Sequence, residues 1–521
     1  MSGEIKYPPK IPQRTYASTL SEQREQLQTD DMMMRFAASR ERLSVDPYRP
    51  GYHYVNPESR LNDPNGLCYW QGRYHLFYQA YPPDDYRQHW GHAVSEDLVY
   101  WEDLPLAIYP GIEEMVYSGS TLVEENRVLA CYLGTQAGMM IAASSDPLLL
   151  NWEKLPGCPV IPWTEAESEV QHSPKRVGDP CLWKEDEGYY ALTGGSADGK
   201  IFEDGRVIEH LFFSQDLERW VYLGDFIEGA QLHTGPGEDG AVPYFWPIGD
   251  KHILMFASHQ RGSQYFLGDY DRERHRFKVT SHGRLNHNQL RCGGVHAPTA
   301  TPDGKGGLIV IHNINWGKPC KGWDHIMSLP RRFSLGDDGR LRIEPVEGLE
   351  SLRADHKQVG ETQLPANQDV VFEDVGGRQT EIIVKIDPQG AREICLDVCR
   401  SPGAAEYTSI RFLQEGYLQR GSFETPQYEH ALMLDPGRSS LLPDVLARPP
   451  EVAPFDLAKG ELLELRVFVD RSVVEVFANG TQCLAVRVYP ERQDSIGVAL
   501  RAQGQDAVMK SMDVWQMKGI W

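Results

Sequence analysis

Short apolar strands recur at nearly even intervals along the first two thirds of the chain. Five of these strands begin at residues 73, 127, 188, 251 and 306, and they read RYHLFYQ, RVLACY, GYYALT, KHILMFA and GGLIVIH. Similar strands at a regular spacing are typical of repeated β-sheets. Five units of this length are too many for a β-sandwich and favour a five-bladed β-propeller.

A second element keeps the same spacing. SEDLVYW ends at Trp101, SSDPLLLNW ends at Trp152 and SQDLERW ends at Trp220, while YDRERHRF is a weaker fourth copy. Each copy predicts an outer hairpin closed by an aromatic residue. Asp and Trp near turns are common in β-rich chains, but three copies in register with the strands favour the repeat.

A third segment precedes each apolar strand and is predicted to be the innermost strand of its blade. These segments read LNDPNGLCYW, YSGSTLV, VGDPCLW, EDGAVPYFW and HAPTA. The innermost strands of a propeller line its central channel. We therefore expect their polar residues to converge although they are far apart in sequence.

The two ends of the chain follow other patterns. Thr19 and Glu22 form a plausible capping box, which predicts a short helical extension at the N-terminus. Alternating segments such as EIIVKID and ELRVFVD predict a C-terminal antiparallel β-sandwich. The predicted fold is all-β, and its parts are an N-terminal extension (1–48), a propeller (49–350), a linker (351–365) and a sandwich (366–521).

Composition narrows the partners. The 521 residues include 52 Lys and Arg against 74 Asp and Glu, a formal charge of -22. This charge repels nucleic acid and anionic membranes, and it suits a neutral small molecule such as a sugar. The N-terminus lacks an apolar export signal, and nine scattered cysteines do not resemble a disulfide framework. Both features predict a cytoplasmic protein.

Three predicted inner strands carry acidic residues: Asp63 in LNDPNG, Asp179 in VGDP and Glu238 in GEDGAVPYFW. Hydrolysis of a glycosidic bond with retention needs an ionised carboxylate as nucleophile and a protonated carboxyl group as acid, about 5–5.5 Å apart. Each motif taken alone is also typical of an ordinary turn. Two Asp-Pro turns at equivalent repeat positions favour a functional interpretation.

The motifs taken together resemble glycoside hydrolase family 32, which comprises invertases, fructanases and sucrose-6-phosphate hydrolases. The resemblance covers residues 52–520, and it rests on motifs that occur in the family's order: NPESRLNDPNGLCYWQGRYHLFYQAYP, HWGHAVSEDLVYWEDLPLAIYP, YSGS, VGDP, GED, SLPRR and FVDRSVVEVFANG. It implies a retaining β-fructofuranosidase that acts on a small sugar through a covalent fructosyl-enzyme and needs no metal or organic cofactor.

The resemblance also implies residue roles. Asp63 would be the nucleophile, Asp179 the transition-state stabiliser that hydrogen-bonds the fructose hydroxyls, and Glu238 the general acid/base. The positions that match the family's substrate pocket are Asn62, Gln79, Trp90, Ser118 and Gly178.

Three departures from the family pattern lie inside these motifs. Arg60 and Leu61 replace the usual Trp-Met before Asn-Asp-Pro, and Gly178 replaces the Arg before Asp-Pro. The usual Glu directly before Cys-Pro is absent, because Glu238 precedes Val242-Pro243 by several residues, and Asp239 is the alternative acid/base. Arg60 or Arg176 could supply the missing positive charge.

Other functions remain open at this stage. A fructosyltransferase would use the same covalent intermediate with a sugar as acceptor, and a sucrose-6-phosphate hydrolase would use it with a phosphorylated substrate. A non-catalytic sugar-binding protein is a third interpretation, although the presence of all three predicted catalytic acids argues against it. The helical extension and the sandwich both offer surfaces for a homo-oligomer.

Overall fold

A computed structural model describes residues 5–162, 178–196, 207–235, 237–288, 290, 293–422 and 425–521. Two helices, α1 (Leu20–Gln28) and α2 (Asp31–Leu43), precede the first strand. The backbone N–H of Glu22 donates to Oγ1 of Thr19 at 3.4 Å, and Oγ1 in turn donates to Glu22 Oε2 at 2.5 Å. The first contact is one half of the predicted capping box; in the second, Glu22 accepts from the Thr19 hydroxyl and not from the Thr19 backbone N–H.

Five sheets form the blades of the propeller. Blade 1 contains β1 (Arg60–Trp70), β2 (Arg73–Tyr81), β3 (His89–Ser95) and β4 (Glu102–Ile108). Blade 2 contains β5 (Val116–Val123), β6 (Val128–Gly134), β7 (Gly138–Ser144), β8 (Glu153–Lys154) and β9 (Ile161–Pro162). Blade 3 contains β10 (Pro180–Glu185), β11 (Gly188–Ser196), β12 (Val207–Ser214) and β13 (Val221–Asp225). Blade 4 contains β14 (Ile227–Glu228), β15 (Ala241–Ile248), β16 (Lys251–Ser258), β17 (Gly262–Asp271) and β18 (Arg276–Arg284). Blade 5 contains β19 (Val295–Pro302), β20 (Leu308–Ile314), β21 (Ile326–Met327), β22 (Arg331–Leu335) and β23 (Leu341–Pro345). All the described strand pairs of the blades are antiparallel except for that of β14 with β18.

The innermost strands close a ring. Strand β1 contacts β5, β5 contacts β10, β10 contacts β15, β15 contacts β19, and β19 returns to β1. Each of these strands comes from one of the segments predicted to line the channel. The ring therefore confirms the five-bladed propeller, and it brings residues from the whole first two thirds of the chain to one axis.

The Trp-closed hairpins have one shared geometry. The indole N–H groups of Trp101, Trp152 and Trp220 each donate to the carbonyl oxygen three residues earlier, at 3.1, 2.8 and 3.1 Å. The accepting residues all have positive φ angles: 67° at Leu98, 50° at Leu149 and 66° at Leu217. The same strained turn thus recurs in blades 1, 2 and 3, as expected of true repeats.

The C-terminal region is a sandwich of two sheets. Its strands are β24 (Arg353–Val359), β25 (Thr362–Leu364), β26 (Asp369–Phe372), β27 (Gln379–Asp387), β28 (Glu393–Arg400), β29 (Thr408–Ser422), β30 (Thr425–Asp435), β31 (Glu451–Phe455), β32 (Leu463–Asp470), β33 (Val473–Ala478), β34 (Gln482–Arg487), β35 (Gly497–Gln503) and β36 (Ala507–Met517). One sheet has the order β24-β36-β27-β32-β33-β34, with β25 also on β36, and the other has the order β26-β35-β28-β29-β30-β31. Short 3₁₀ turns lie at Ala230–Leu232, Glu347–Leu352 and Pro402–Ala404.

The prediction that residues 351–365 form a linker is wrong, because the segment contains two strands. Strands β24 and β25 fall inside it and both pair with β36, so the segment is part of the sandwich sheet. Its polar composition misled the prediction because most of β24 is exposed, and an exposed edge strand has few apolar positions.

The sandwich packs directly against the propeller. Phe468, Phe477 and Met517 of the sandwich belong to the same buried apolar cluster as residues of blades 1, 4 and 5. At this junction the buried carboxylate of Asp470 accepts the backbone N–H groups of Gly51 and Tyr52 at 2.7 and 2.8 Å. Among the described residues, no helix is long and apolar enough to cross a membrane.

Candidate active site

Four innermost strands have an irregular pairing near their first residues. The pairing slips between Leu61 and Pro64 in β1, and equivalent slips occur at the starts of β5, β15 and β19. Such bulges turn side chains out of the regular alternation of a strand. Asp63, Ser118 and His296 all lie within these irregular stretches, which explains how three different blades present polar groups at one place.

Asp63 is buried and held from two sides. Its Oδ2 accepts the hydroxyl of Ser118 at 2.7 Å. Its Oδ1 lies 3.2 Å from Nδ1 of His296, at ion-pair distance but without the alignment of a hydrogen bond. Burial opposes ionisation, but His296 and the Ser118 hydroxyl outweigh it, so the pKa of Asp63 lies below its ordinary value. The carboxylate is therefore ionised, as a nucleophile must be.

A chain of amides supports this contact. Nε2 of Gln79 donates to Oγ of Ser118 at 2.7 Å, and Oε1 of Gln79 accepts from Asn62 at 2.9 Å and from Gln88 at 3.1 Å. The amide of Gln79 is thereby fixed in one orientation, and so is the hydroxyl of Ser118. The structure thus brings Asn62, Gln79 and Ser118 together with Asp63.

Two further residues predicted for the substrate pocket, Trp90 and Ser118, have completely buried side chains. The indole N–H of Trp90 donates to the carbonyl oxygen of Tyr117 at 2.8 Å, and its ring packs near Phe77 and Tyr132. Ser118 thus holds Asp63, and Trp90 packs between blades 1 and 2. A contact of either side chain with substrate stays a prediction.

The protonation of Asp179 depends on the charge of Asp63. Burial and the negative charge of Asp63 raise the pKa of Asp179 to about 7, although His259 and the backbone N–H of Val242 act in the opposite direction. Because the pKa values of the two carboxyl groups shift in opposite directions, Asp63 ionises first and Asp179 keeps its proton to higher pH.

Gly178 occupies a place that admits no side chain. A Cβ atom added there would lie 1.9 Å from the carbonyl oxygen of Gly194. The family's usual Arg therefore does not fit this backbone. Arg60, one suggested substitute, lies over the ring of Tyr81 and 3.4 Å from Asp324, while Arg176 falls outside the described residues.

Glu238 is clamped within its own blade. Arg284 donates to both of its oxygens, at 2.8 and 3.2 Å, and Gln264 donates to Oε2 at 2.8 Å. Burial opposes ionisation of Glu238, but these donors lower its pKa below the ordinary value. In this arrangement Glu238 is a carboxylate, which suits a general base and requires protonation before it can act as an acid.

Asp239 contacts His259, and not the residues that hold Glu238. Its Oδ2 lies 2.7 Å from Nδ1 of His259, and its Oδ1 accepts the backbone N–H of the same residue at 2.9 Å. The hydrogen bond to Asp239 is the main cause that raises the pKa of His259 to about 9, and Asp179 and Asp63 contribute. The charged His259 therefore connects Asp239 with the two acids of the channel, and its ring lies 6.2 Å from that of His296.

Comparison with known proteins identifies the fold and the motifs together. Residues 53–345 match the model of the glycosyl hydrolases family 32 N-terminal domain, and residues 348–516 match the C-terminal model of the same family. The chain belongs to glycosyl hydrolase family 32. This membership confirms the sequence prediction of a β-fructofuranosidase-type glycoside hydrolase.

Individual family 32 proteins are similar over most of their length. A levanase of Bacillus subtilis is 28% identical over 91% of this chain and 71% of that protein. A sucrose-6-phosphate hydrolase of Escherichia coli is 27% identical over 90% of this chain and 95% of that protein. The crystal structure of fructan 1-exohydrolase IIa from Cichorium intybus superposes with a TM-score of 0.76 at 24% identity, covering 91% of this chain and 98% of that chain.

Sequence reasoning missed several residues of this family 32 site. His259, His296, Gln264 and Arg284 were not singled out, although the HAPTA segment that contains His296 was predicted to line the channel. The place of that segment as an innermost strand was the available signal, and the structure shows that His296 lies in the bulge of β19 at the position equivalent to Asn62 in β1. Among the described residues, no group of three or more His, Cys, Asp or Glu is arranged to hold a metal ion.

Proposed function

We propose that this family 32 enzyme releases fructose from sucrose or short β-fructofuranosides by a retaining mechanism with Asp63 as the nucleophile. The observation that carries the proposal is the buried, ionised carboxylate of Asp63, which Ser118 and His296 hold at the bulged start of β1. A retaining glycosidase needs such an ionised carboxylate as the nucleophile beside the scissile bond.

The two steps balance as follows. A carboxylate oxygen of Asp63 attacks the anomeric carbon of the fructosyl unit while the bond to the glycosidic oxygen breaks, and that oxygen takes the proton of the general acid. Water then attacks the same carbon and gives its proton to the conjugate base, and Asp63 leaves as a carboxylate. Asp179 stabilises the oxocarbenium-like transition state through the fructose hydroxyls.

The acid/base role lies with the adjacent pair Glu238 and Asp239. The family pattern supports Glu238, and its hydrogen bonds with Arg284 and Gln264 fix its carboxylate in place. Asp239 remains the alternative, because His259 connects it with Asp63 and Asp179.

One set of variants distinguishes these roles. We expect D63N to lose about 10³-fold or more of the activity on both sucrose and an aryl β-fructofuranoside with an acidic leaving group. The variant of the true acid/base should lose about 10²- to 10⁴-fold on sucrose but much less on the aryl substrate, which needs no proton. E238Q is expected to behave this way and D239N is not; the reverse result would exchange their roles, and an active D63N would end the proposal.

The choice of substrate is supported by the range of relatives. The similar proteins include a levanase, a fructan 6-exohydrolase, a raffinose invertase and sucrose-6-phosphate hydrolases. Rates on sucrose, sucrose 6-phosphate, 1-kestose and levan, with glucose and fructose quantified separately, rank these substrates. Fructosyl transfer would appear as free glucose in excess of free fructose at high sucrose concentration.

We also propose that the enzyme works in the cytoplasm. Eight cysteines of the described residues are free thiols, and six of them are buried, which fits a reducing compartment. Fractionation of the source cells followed by activity measurement tests this location. Enrichment of the enzyme outside the cell would contradict it.

A further inference from the structure

Glu209 is a completely buried acid that the proposed mechanism does not use. It lies on β12, where it pairs across the sheet with Gly194 of β11. Neither of its carboxyl oxygens has a hydrogen-bond partner among the described residues. Its Oε1 lies against Gly240, where an added Cβ atom would come within 2.2 Å.

Among the described residues, the charges that act on Glu209 are negative. Asp239 and Asp179 are the ionisable groups that act on it, while Gly194 of β11 and the backbone N–H of Phe226, which donates to the Glu209 carbonyl, carry no charge. Burial first, and then these two carboxyl groups, raise the pKa of Glu209 well above its ordinary value. An isolated buried carboxylate is so unfavourable that such a group takes up a proton instead.

A second buried glutamate shows the contrast. Glu113 is also completely buried, but its Oε1 accepts from Nζ of Lys154 at 2.6 Å and from the hydroxyl of Tyr132 at 3.0 Å. A buried carboxylate with a cation beside it is stable as an ion. Glu209 has no such partner among the residues described.

The backbone around Glu209 has no room to adapt. A Cβ atom at Gly178 would lie 1.9 Å from the carbonyl oxygen of Gly194, and one at Gly194 would lie 2.1 Å from the carbonyl oxygen of Gly240. These three glycines stack backbone on backbone. Asp179 follows Gly178 and Asp239 precedes Gly240, so any opening of this stack moves both acids.

We propose that Glu209 is a positioning residue of the active site: it is held as a neutral carboxylic acid behind Asp179 and Asp239, and its ionisation limits activity at alkaline pH on substrates that need no general acid. Ionised Glu209 would need water or a cation, and admitting either would open the glycine stack. The part of the proposal that concerns activity rests on the proposed function, whereas the protonation of Glu209 does not.

Thermal unfolding tests the protonation without any substrate. A folded-state carboxyl that keeps its proton above the unfolded pKa contributes stability that is lost as the pH rises from that unfolded value towards the folded pKa. We therefore expect the Tm of E209Q, relative to the original protein, to increase steadily from about pH 5 to about pH 9. E209M, which is also neutral, should show the same trend if E209Q fails to fold.

The matched control is E113Q, which removes a paired buried carboxylate and should lower the Tm throughout the range. A Tm difference between E209Q and the original protein that does not change with pH would overturn the proposal. It would mean that Glu209 has the same degree of ionisation in the folded and the unfolded protein.

The pH profile of kcat/KM on the aryl β-fructofuranoside, which needs no proton from the general acid, tests the effect on the site. In E209Q the alkaline half-point should move to higher pH by about one unit or more, because an amide cannot ionise. A role in packing alone would change the rate at every pH without moving this half-point. An alkaline limb that is unchanged in E209Q, alongside the expected unfolding result, would refute the positioning role while leaving the proposed hydrolysis intact.

Discussion

The charge state of Asp63 depends on two neighbours from other blades. Ser118 of blade 2 donates to one oxygen, and His296 of blade 5 lies beside the other. Both contacts favour the carboxylate over the carboxylic acid, against the effect of burial. The nucleophile is thus prepared by residues that are remote in sequence, and removing one of them has a defined consequence.

Replacing Ser118 with alanine should raise the pKa of Asp63. S118A removes the donated hydrogen bond, so the acid limb of the kcat/KM profile should move to higher pH and the maximum should fall about 10-fold. S144A is the matched control, because Ser144 is a buried serine that donates to Asp146 at 3.0 Å in the same blade. An acid limb at the same pH in S118A and the original enzyme would contradict this account of Asp63.

The individual acids were predictable to different degrees. Asp63 and Asp179 each precede a proline at equivalent repeat positions, so the sequence alone predicted both at the channel, although the structure places Asp63 within strand β1 rather than in a turn. The ion pair of Glu238 with Arg284 was not predictable, because it joins residues 46 positions apart across strands whose register the sequence does not define. His259 carries no local pattern at all, and its importance follows only from its contact with Asp239.

At the scale of elements, the repeats could be predicted because the Trp-closed hairpins of blades 1, 2 and 3 share one turn geometry. Every Trp-closed hairpin needs a tight turn, and the indole N–H satisfies a carbonyl that the turn leaves free. The bulges of the inner strands were not readable, since a slip in pairing leaves no signature in the residue types. They decide which side chains enter the channel.

The N-terminal helices are part of this arrangement. Arg40 of α2 donates to both carboxylate oxygens of Asp103 on β4 and to the carbonyl oxygen of Val55, and its guanidinium lies 3.2 Å from the ring centroid of Trp521, the last residue. One side chain thereby connects the extension, blade 1 and the C-terminus.

Replacing Arg40 with alanine should destabilise the protein by about 3–5 kcal/mol, because it leaves the buried carboxylate of Asp103 without a cation and with the Tyr54 hydroxyl as its remaining donor. Chemical unfolding followed by fluorescence measures this loss. R42A is the control on the same helix, since Arg42 is exposed and its side chain donates to Ser39 of its own helix, and it should unfold like the original protein. Equal midpoints for R40A and R42A would show that α2 is not a structural part of the propeller.

On the scale of the whole molecule, the sandwich and the propeller share one core. The buried cluster that contains Leu61 and Leu76 of blade 1 also contains Phe468, Phe477 and Met517 of the sandwich. The family's two domain models divide near residue 346, but apolar packing continues across that boundary. We therefore expect the two regions to unfold together rather than as independent domains.

Asp470 gives the sharpest test of this cooperation. Its buried carboxylate accepts the backbone N–H groups of Gly51, Tyr52 and His53 at 2.7 to 2.9 Å and lies 2.9 Å from Nδ1 of His53. In D470N the amide keeps one acceptor but turns a donor towards these N–H groups, so the junction should weaken by about 3–5 kcal/mol. D494N is the control, because Asp494 is an exposed residue of the sandwich paired with Arg492. We expect D470N to unfold in one transition, at a lower denaturant concentration than the original protein. Two separate transitions would show instead that the propeller and the sandwich each fold alone. An unchanged midpoint would show that Asp470 does not hold the two regions together.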